Sequence, residues 1–202
     1  MTIFDIFEKE HQFIKSTFDG YVKEAIAQGN WNTLYDFCFN KIECNHHKKE
    51  EEFLFDKVRN NPKIQAGGPM CTMYFDGHIL QPSLPIANAL VIEIKGSPSQ
   101  LDVPTELKVD QENKSPLCIP EEDHFSGQVL LEEIRLLLPQ ERNTETLNQI
   151  RKYFDLYYYI QRRHFDREEN CFFRMCAELI PQHTQVELYN QMVAKYSLVS
   201  ST

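Results

Sequence analysis

The sequence contains no apolar run approaching the roughly 20 residues of a membrane-spanning helix. It also has no excess of basic residues, because 21 lysines and arginines stand against 30 aspartates and glutamates, for a formal net charge of -9. This balance argues against nucleic acid and against an anionic membrane surface as partners. The first ten residues are acidic and amphipathic, unlike a signal peptide. We therefore expect a soluble cytoplasmic protein without nucleic-acid or membrane partners.

Paired cysteines of the C-x-x-C type are also missing, so a zinc site built on cysteine pairs is unsupported. The even number of cysteines is compatible with disulfides, but the sequence has no secretion signal. We expect most of the thiols to be reduced. The six residues are Cys38, Cys44, Cys71, Cys118, Cys171 and Cys176.

What the sequence does have is four long segments in which apolar residues recur at three- and four-residue steps, the pattern of amphipathic helices. They run over about 2–28, 31–60, 120–138 and 144–179. The links between the first and second helices and between the third and fourth are short. This favours an all-α protein, an antiparallel up-down four-helix bundle within a single domain of 1–202. Pro181 ends the fourth helix, and a short C-terminal helix is expected after it.

The segment 77–119 differs in composition from the helices, because it is rich in proline, serine and glycine. It contains one apolar run, 87–94, which is typical of a strand. We interpret 77–119 as a long insertion before the third helix. A loop of this length commonly has a function, and a lid, a surface for an unknown protein partner and a contact in a homodimer are the alternatives.

Two of the helices carry the same motif of a histidine followed four residues later by a glutamate. His46 and Glu50 lie on the second helix, and His164 and Glu168 lie on the fourth, with matching apolar residues after each pair. Residues four apart share one face of a helix. The repeat favours the register of His46 with Glu50 over the alternative of His47 with Glu51, and we place His47 outside the ligand set.

A histidine on each of the other two helices completes a candidate metal site. His11 lies on the inward face of the first helix, and His124 lies near the start of the third. A single His-x-x-x-Glu pair is commonly a surface feature, but two matched copies on inward faces favour a metal, since an unpaired buried glutamate is costly. Histidine and carboxylate ligands suit iron or manganese, and zinc and copper also accept imidazole. Tyr157, on the same stripe as His164, is a candidate for lining the site.

These residues together resemble the hemerythrin-like (HHE cation-binding) domain family. The motifs that carry the resemblance are Glu10-His11, His46 to Phe55, the turn Gly67-Gly68-Pro69-Met70, His124 to Gln128, and His164 to Phe173. The resemblance covers most of the chain except about 77–119. It implies a di-iron centre with oxo or hydroxo and carboxylate bridges. Its implied metal ligands are His11, His46, Glu50, His124, His164 and Glu168, with both glutamates bridging, His11 and His46 on one iron, and His124 and His164 on the other.

Two departures from the family pattern affect the expected chemistry. Oxygen-carrying hemerythrins have a second histidine four residues after the first on the third helix, and here that position is Gln128. One iron is then expected to have one histidine fewer, which argues against reversible oxygen carriage. The insertion also separates the glycine-proline turn from His124, so that His78 is a rival for the third-helix ligand. We prefer His124 because residues on both sides of it fit the motif.

The function that the resemblance implies is a non-haem di-iron protein that binds or reacts with O2, peroxide or nitric oxide, or that senses iron or oxygen. One alternative is a di-iron enzyme for peroxide or oxygen reduction or for the repair of iron centres. Another is a structural bundle whose metal is incidental. The expected ligand is a diatomic molecule or peroxide, and the sequence singles out no catalytic residue.

Overall fold

A computed structural model describes residues 1–65, 116–140 and 143–199 of the chain. Within these ranges the protein is all-α, as predicted, with six helices and no strand. We number them α1 (Ile3–Gln28), α2 (Trp31 to Val58), α3 (Pro62–Gln65), α4 (Cys118–Leu137), α5 (Thr144 to Leu179) and α6 (Gln182–Val199). The four predicted long helices correspond to α1, α2, α4 and α5.

The helices begin and end at residues that suit helix termini. Thr2 caps α1, because its hydroxyl accepts a hydrogen bond from the Asp5 amide at 3.4 Å and the Asp5 carboxylate accepts one from the Thr2 amide at 2.6 Å. Gly29 ends α1 with a φ of 70°, a left-handed conformation that favours glycine. Asn143 caps α5 by accepting a hydrogen bond from the Thr146 amide at 2.9 Å.

Helices α2 and α5 contain stretches of π-helical hydrogen bonding, in which an amide bonds to the carbonyl five residues earlier. These stretches are Cys38–His47 and Glu51–Phe55 in α2 and Glu168–Phe172 in α5. Such turns hold more residues than α-helical turns and occur often at functional sites. In α2, the neighbouring residues His46 and His47 are both buried, at 1% and 0% exposed. The π-helical stretch thus presents two adjacent histidines to the interior.

Two apolar clusters form the core. The first cluster contains Ile14, Phe18, Trp31, Ile42, Leu130, Ile134, Phe154 and Ile160, among others. The second cluster contains Phe7, Phe53, Phe55, Leu117, Phe172, Met175 and Leu188, among others. Burying one such side chain stabilises the fold by about 1.5–3 kcal/mol. Along α1 and α2, buried polar residues separate residues of one cluster from residues of the other, and the predicted site residues lie among them. On α4 and α5, the predicted site residues lie between Leu117 and Leu130 and between Ile160 and Cys171.

Two predicted boundaries need correction. Cys118 and Ile119 already belong to α4, so the last two residues of the predicted insertion are helical. The C-terminal helix has 18 residues and is not short. His78, the glycine-proline turn of 67–70 and the apolar run 87–94 lie outside the described residues.

Among the described residues, Cys38, Cys44, Cys118 and Cys176 are free, whereas Cys171 is disulfide-bonded. The expectation of reduced thiols therefore does not extend to Cys171. In the part of the chain that the structure describes, no helix is both long and apolar enough to cross a membrane.

Candidate metal centre

The structure brings all six predicted site residues together in the buried polar layer between the two apolar clusters. Their side chains are at most 2% exposed. Helix α1 supplies His11, α2 supplies His46 and Glu50, α4 supplies His124, and α5 supplies His164 and Glu168.

The potential ligand atoms form two groups, within each of which they all lie within 4.8 Å of one another. The first group is His11, His46, Glu50 and Glu168, and the second group is His47, Glu50, His124 and His164. Glu50 belongs to both groups. Two adjacent metal ions could therefore share its carboxylate.

The two oxygens of Glu50 face different groups. Oε1 lies 3.3 Å from Nε2 of His46 and 3.6 Å from Nε2 of His11. Oε2 lies 3.4 Å from Nε2 of His124 and 3.8 Å from Nε2 of His164. This is the arrangement expected of a carboxylate that bridges two cations.

Glu168 approaches histidines of both groups from α5. Its Oε2 atom lies 3.4 Å from Nε2 of His11 and 3.1 Å from Nε2 of His164. The two His-x-x-x-Glu motifs thus meet at the centre of the molecule, and each glutamate contacts histidines on other helices as well as on its own.

His47, which we expected outside the ligand set, is buried and lies in the second group of potential ligands. Its ring stacks on that of His124 with centroids 3.8 Å apart, and its Nε2 atom lies 3.1 Å from Oε1 of Gln161. Gln128 occupies the position on α4 where the family pattern has a second histidine, and its side chain is exposed. The second group still contains three histidines, because His47 on α2 supplies the third. Glu43, four residues before His47, was the sequence signal that could have identified it.

Each of the five histidines has a carboxylate beside its Nδ1 atom. The pairs are His11 with Glu169 at 2.9 Å, His46 with Glu10 at 2.9 Å, His47 with Glu43 at 3.0 Å, His124 with Glu51 at 2.8 Å, and His164 with Asp123 at 3.6 Å. A carboxylate at Nδ1 favours the tautomer in which Nδ1 carries the hydrogen and Nε2 carries a lone pair. Metal-binding histidines characteristically have such partners.

Several of these outer carboxylates are themselves paired with cations. Lys15 contacts Glu169 at 2.9 Å, and Lys49 contacts Glu10 at 2.5 Å. Arg167 forms a buried ion pair with Asp123. The cations offset the negative charge that the carboxylates bring to the interior and hold them in position behind the imidazoles.

Polar atoms in the first group point inward without hydrogen bonds. Among the described residues, these atoms include Nε2 of His11 and His46 and both carboxylate oxygens of Glu50 and Glu168. Leaving a buried polar group unpaired costs about 1–3 kcal/mol, and more for a charged group. A bound cation would satisfy all of these atoms together, and the nitrogen and oxygen donors fit iron or manganese.

Burial also shifts the ionisation of the ligands in the metal-free protein. It raises the pKa of Glu50 and of Glu168 well above the usual value, and the Glu168 charge raises the pKa of Glu50 further. Burial lowers the pKa of His46 to about 3 and that of His11 well below its usual value. The metal-free site therefore favours neutral carboxyls and neutral imidazoles.

A surface cleft of about 730 Å³ reaches the second group at His124. It is lined by Lys48, Glu51, Glu52, Asp56, Arg59, Glu121, His124, Phe125, Gln128 and Lys195. Glu51, which bonds to His124, has a side chain 47% exposed. The second group is therefore close to solvent, whereas the first group lies behind Phe165 and Phe173, whose ring centroids are 4.2 and 5.5 Å from that of His11.

No family model, no curated protein and no solved structure matches this chain.

Proposed function

We propose that this protein is a non-haem di-iron protein of the hemerythrin type, which binds and reacts with a small oxidant such as O2 or peroxide. The observation that carries the proposal is the convergence of five buried imidazoles and two buried carboxylates, in which every imidazole has a carboxylate behind it. An interior of this composition is costly unless cations occupy it.

In this proposal each group of potential ligands holds one iron. Glu50 and Glu168 would hold both ions, because each approaches histidines of both groups. His11 and His46 would hold one ion, and His47, His124 and His164 would hold the other. The support for this assignment is the set of contacts of Glu50 and Glu168 with Nε2 atoms, at 3.1 to 3.8 Å.

The proposed fold around the centre is an antiparallel up-down bundle of α1, α2, α4 and α5. It is supported by the order of the two apolar clusters along the helices. The second cluster precedes the first along α1, and its residue Leu117 immediately precedes α4, whereas the first precedes the second along α2 and α5. Successive long helices would therefore run in opposite directions, and each would contribute ligands at the same level.

Iron at this site would supply electrons and open coordination positions for dioxygen, peroxide or nitric oxide. The residues of the chain would determine which molecules reach it. The aromatic residues Phe53, Phe55, Phe165, Phe172 and Phe173 are all buried. They would exclude bulky molecules, so that small ligands are favoured.

Enzymatic turnover is the second candidate, and the cleft beside His124 favours it. The cleft gives solvent and a small reductant access to the second group, and Glu51 reaches from the cleft to Nδ1 of His124. An enzyme would reduce peroxide or oxygen repeatedly when a reductant is present. A binding or sensing protein would react once per centre.

The proposal is tested by loading the metal-free protein with ferrous iron under anaerobic conditions and measuring the bound metal after desalting. We expect about two iron ions per chain. His164→Ala and Glu168→Ala should lose iron, and His183→Ala is the matched control, because His183 is exposed on α6. Iron binding that is unchanged in both site variants would refute the proposal. Adding peroxide with and without a reductant then separates repeated turnover from a single reaction.

A further inference from the structure

A buried phenol is connected to the candidate centre through one carboxylate. The hydroxyl of Tyr157 donates a hydrogen bond to Oε1 of Glu43 at 2.8 Å. The other oxygen of Glu43 accepts a hydrogen bond from Nδ1 of His47 at 3.0 Å. Tyr157 is 0% exposed. A continuous path of hydrogen bonds therefore runs from a phenol to an imidazole of the second group.

This path differs from those behind three of the other histidines. Behind His11, His46 and His164, the outer carboxylate contacts a lysine or an arginine. Glu43 contacts a phenol. Lysine and arginine provide positive charge but are not oxidised under mild conditions, whereas a phenol can give up one electron if a base accepts its proton. Glu43 is placed to be that base.

The residues packed around Tyr157 and Glu43 exclude water and keep the two side chains in contact. Gly127 of α4 faces this pair, and a Cβ atom built on Gly127 would lie 2.9 Å from Oε1 of Glu43 and 3.2 Å from Cε2 of Tyr157. The absence of a side chain at Gly127 therefore lets α4 pack directly against the pair. Phe18 stacks on the other side, with ring centroids 6.1 Å apart. An oxidised Tyr157 would be shielded from solvent.

Two other tyrosines with carboxylate partners lack this connection. Tyr158 bonds to Asp19 and Tyr196 bonds to Glu52, both away from the centre and toward solvent. Among the hydrogen bonds described for the chain, the path through Glu43 is the one that joins a tyrosine to an imidazole of either group.

We propose that Tyr157 is a redox-active residue that gives one electron to the oxidised iron centre by way of Glu43 and His47. This inference rests on the proposed function. The O–H bond of the phenol breaks, its proton moves to Oε1 of Glu43, and the electron passes to the centre. Hydrogen peroxide is the oxidant, and each molecule takes up two electrons and two protons and leaves as two molecules of water.

Electrons and protons balance when two chains are considered together. Four electrons come from their ferrous ions and two from their Tyr157 side chains, and these six electrons reduce three molecules of peroxide. Six protons come from solvent, and six molecules of water are formed. Each chain then holds two ferric ions, a neutral radical on Tyr157 and a protonated Glu43.

The test uses the full chain loaded anaerobically with ferrous iron, mixed with hydrogen peroxide, frozen and examined by electron paramagnetic resonance. Tyr157→Phe removes only the phenolic hydroxyl. Tyr159→Phe is the matched control, because Tyr159 lies on the same helix and is 46% exposed. A second sample of the wild-type protein carries ring-deuterated tyrosine, which identifies a tyrosine radical without any substitution. Bound iron is measured in every sample.

We expect an organic radical in the wild-type protein and in Tyr159→Phe, a narrower signal after deuteration, and loss of the signal in Tyr157→Phe with its iron content unchanged. Oxidation of bound iron without an organic radical would overturn this inference and leave the proposed function standing. A signal that deuteration does not narrow, or that persists in Tyr157→Phe, would also overturn it. Wild-type protein that binds no iron would overturn both proposals.

Discussion

Nε2 of His124 and Nε2 of His164 lie 3.2 Å apart in the interior of the protein. The Nδ1 atom of each ring faces a carboxylate, Glu51 for His124 and Asp123 for His164. Two arrangements suit this distance: His164 donates a hydrogen bond from Nε2 to the Nε2 lone pair of His124, or both nitrogens direct lone pairs at one cation. Oε2 of Glu50 faces both nitrogens. This relationship defines the second group of potential ligands.

The first prediction concerns His47. Replacing His47 with alanine should lower bound iron from about two ions per chain to about one, because the second group loses one of its three imidazoles. The measurement is metal analysis after ferrous loading and desalting. His47→Gln keeps a polar side chain at this buried position and distinguishes loss of a ligand from loss of folding. Retention of both ions in the two variants would place His47 outside the ligand set.

The second prediction concerns the carboxylates behind the imidazoles. Glu10→Gln and Glu169→Gln should each weaken iron binding by about 10–100-fold, because they remove the charge that orients Nδ1 of His46 and His11. Competition with a chelator measures the affinity. Glu8→Gln is the control, since Glu8 is an exposed residue of α1, the helix that carries Glu10. Equal affinities in all three variants would show that the outer carboxylates do not support metal binding.

The third prediction concerns protons. Burial raises the pKa of Glu50 and Glu168, so protons compete with a metal for these carboxyls at a higher pH than they do at an exposed glutamate. Iron binding should therefore release protons, and affinity should fall as the pH is lowered. Calorimetry in two buffers of different ionisation enthalpy detects the release. An affinity that is constant with pH, with no proton release, would contradict the burial of these carboxyls.

The fourth prediction contrasts two glycines in helices. Gly20→Ala should stabilise the metal-free protein by about 0.5–1 kcal/mol, because it improves helix propensity, and an added Cβ there meets no atom within 4 Å. Gly127→Ala should destabilise it by about 1–3 kcal/mol through overpacking, since the added Cβ would lie 2.9 Å from both Glu43 and Gln161. Urea unfolding measures both changes. Equal stabilisation by the two substitutions would mean that Glu43 and Gln161 are not fixed in place.

The helices and the two His-x-x-x-Glu motifs could be predicted because both depend on local spacing. Residues four apart share a helical face whatever the rest of the fold does, so Glu50 and Glu168 follow from sequence alone. His47 could not be predicted in this way, because it neighbours His46 and the spacing of the repeated motif selects only one of the two. Both are buried in the structure.

The outer carboxylates were missed for a different reason. Glu169 on α5 bonds to His11 on α1, and Glu51 on α2 bonds to His124 on α4. Such pairs form only when helices distant in sequence come together, and in the sequence Glu51 belongs to a run of three glutamates that is typical of a solvated face. His78, the rival of His124, lies outside the described residues, and His124 is in contact with the other candidate ligands.

The most direct measurement is a crystal structure of the iron-loaded protein with anomalous data collected on both sides of the iron absorption edge. We expect two iron peaks about 3.5–4 Å apart, both in contact with Glu50, with one among His11, His46 and Glu168 and the other among His47, His124 and His164. A single peak, peaks only at surface carboxylates, or no iron peak in the interior would contradict a di-iron centre at this site.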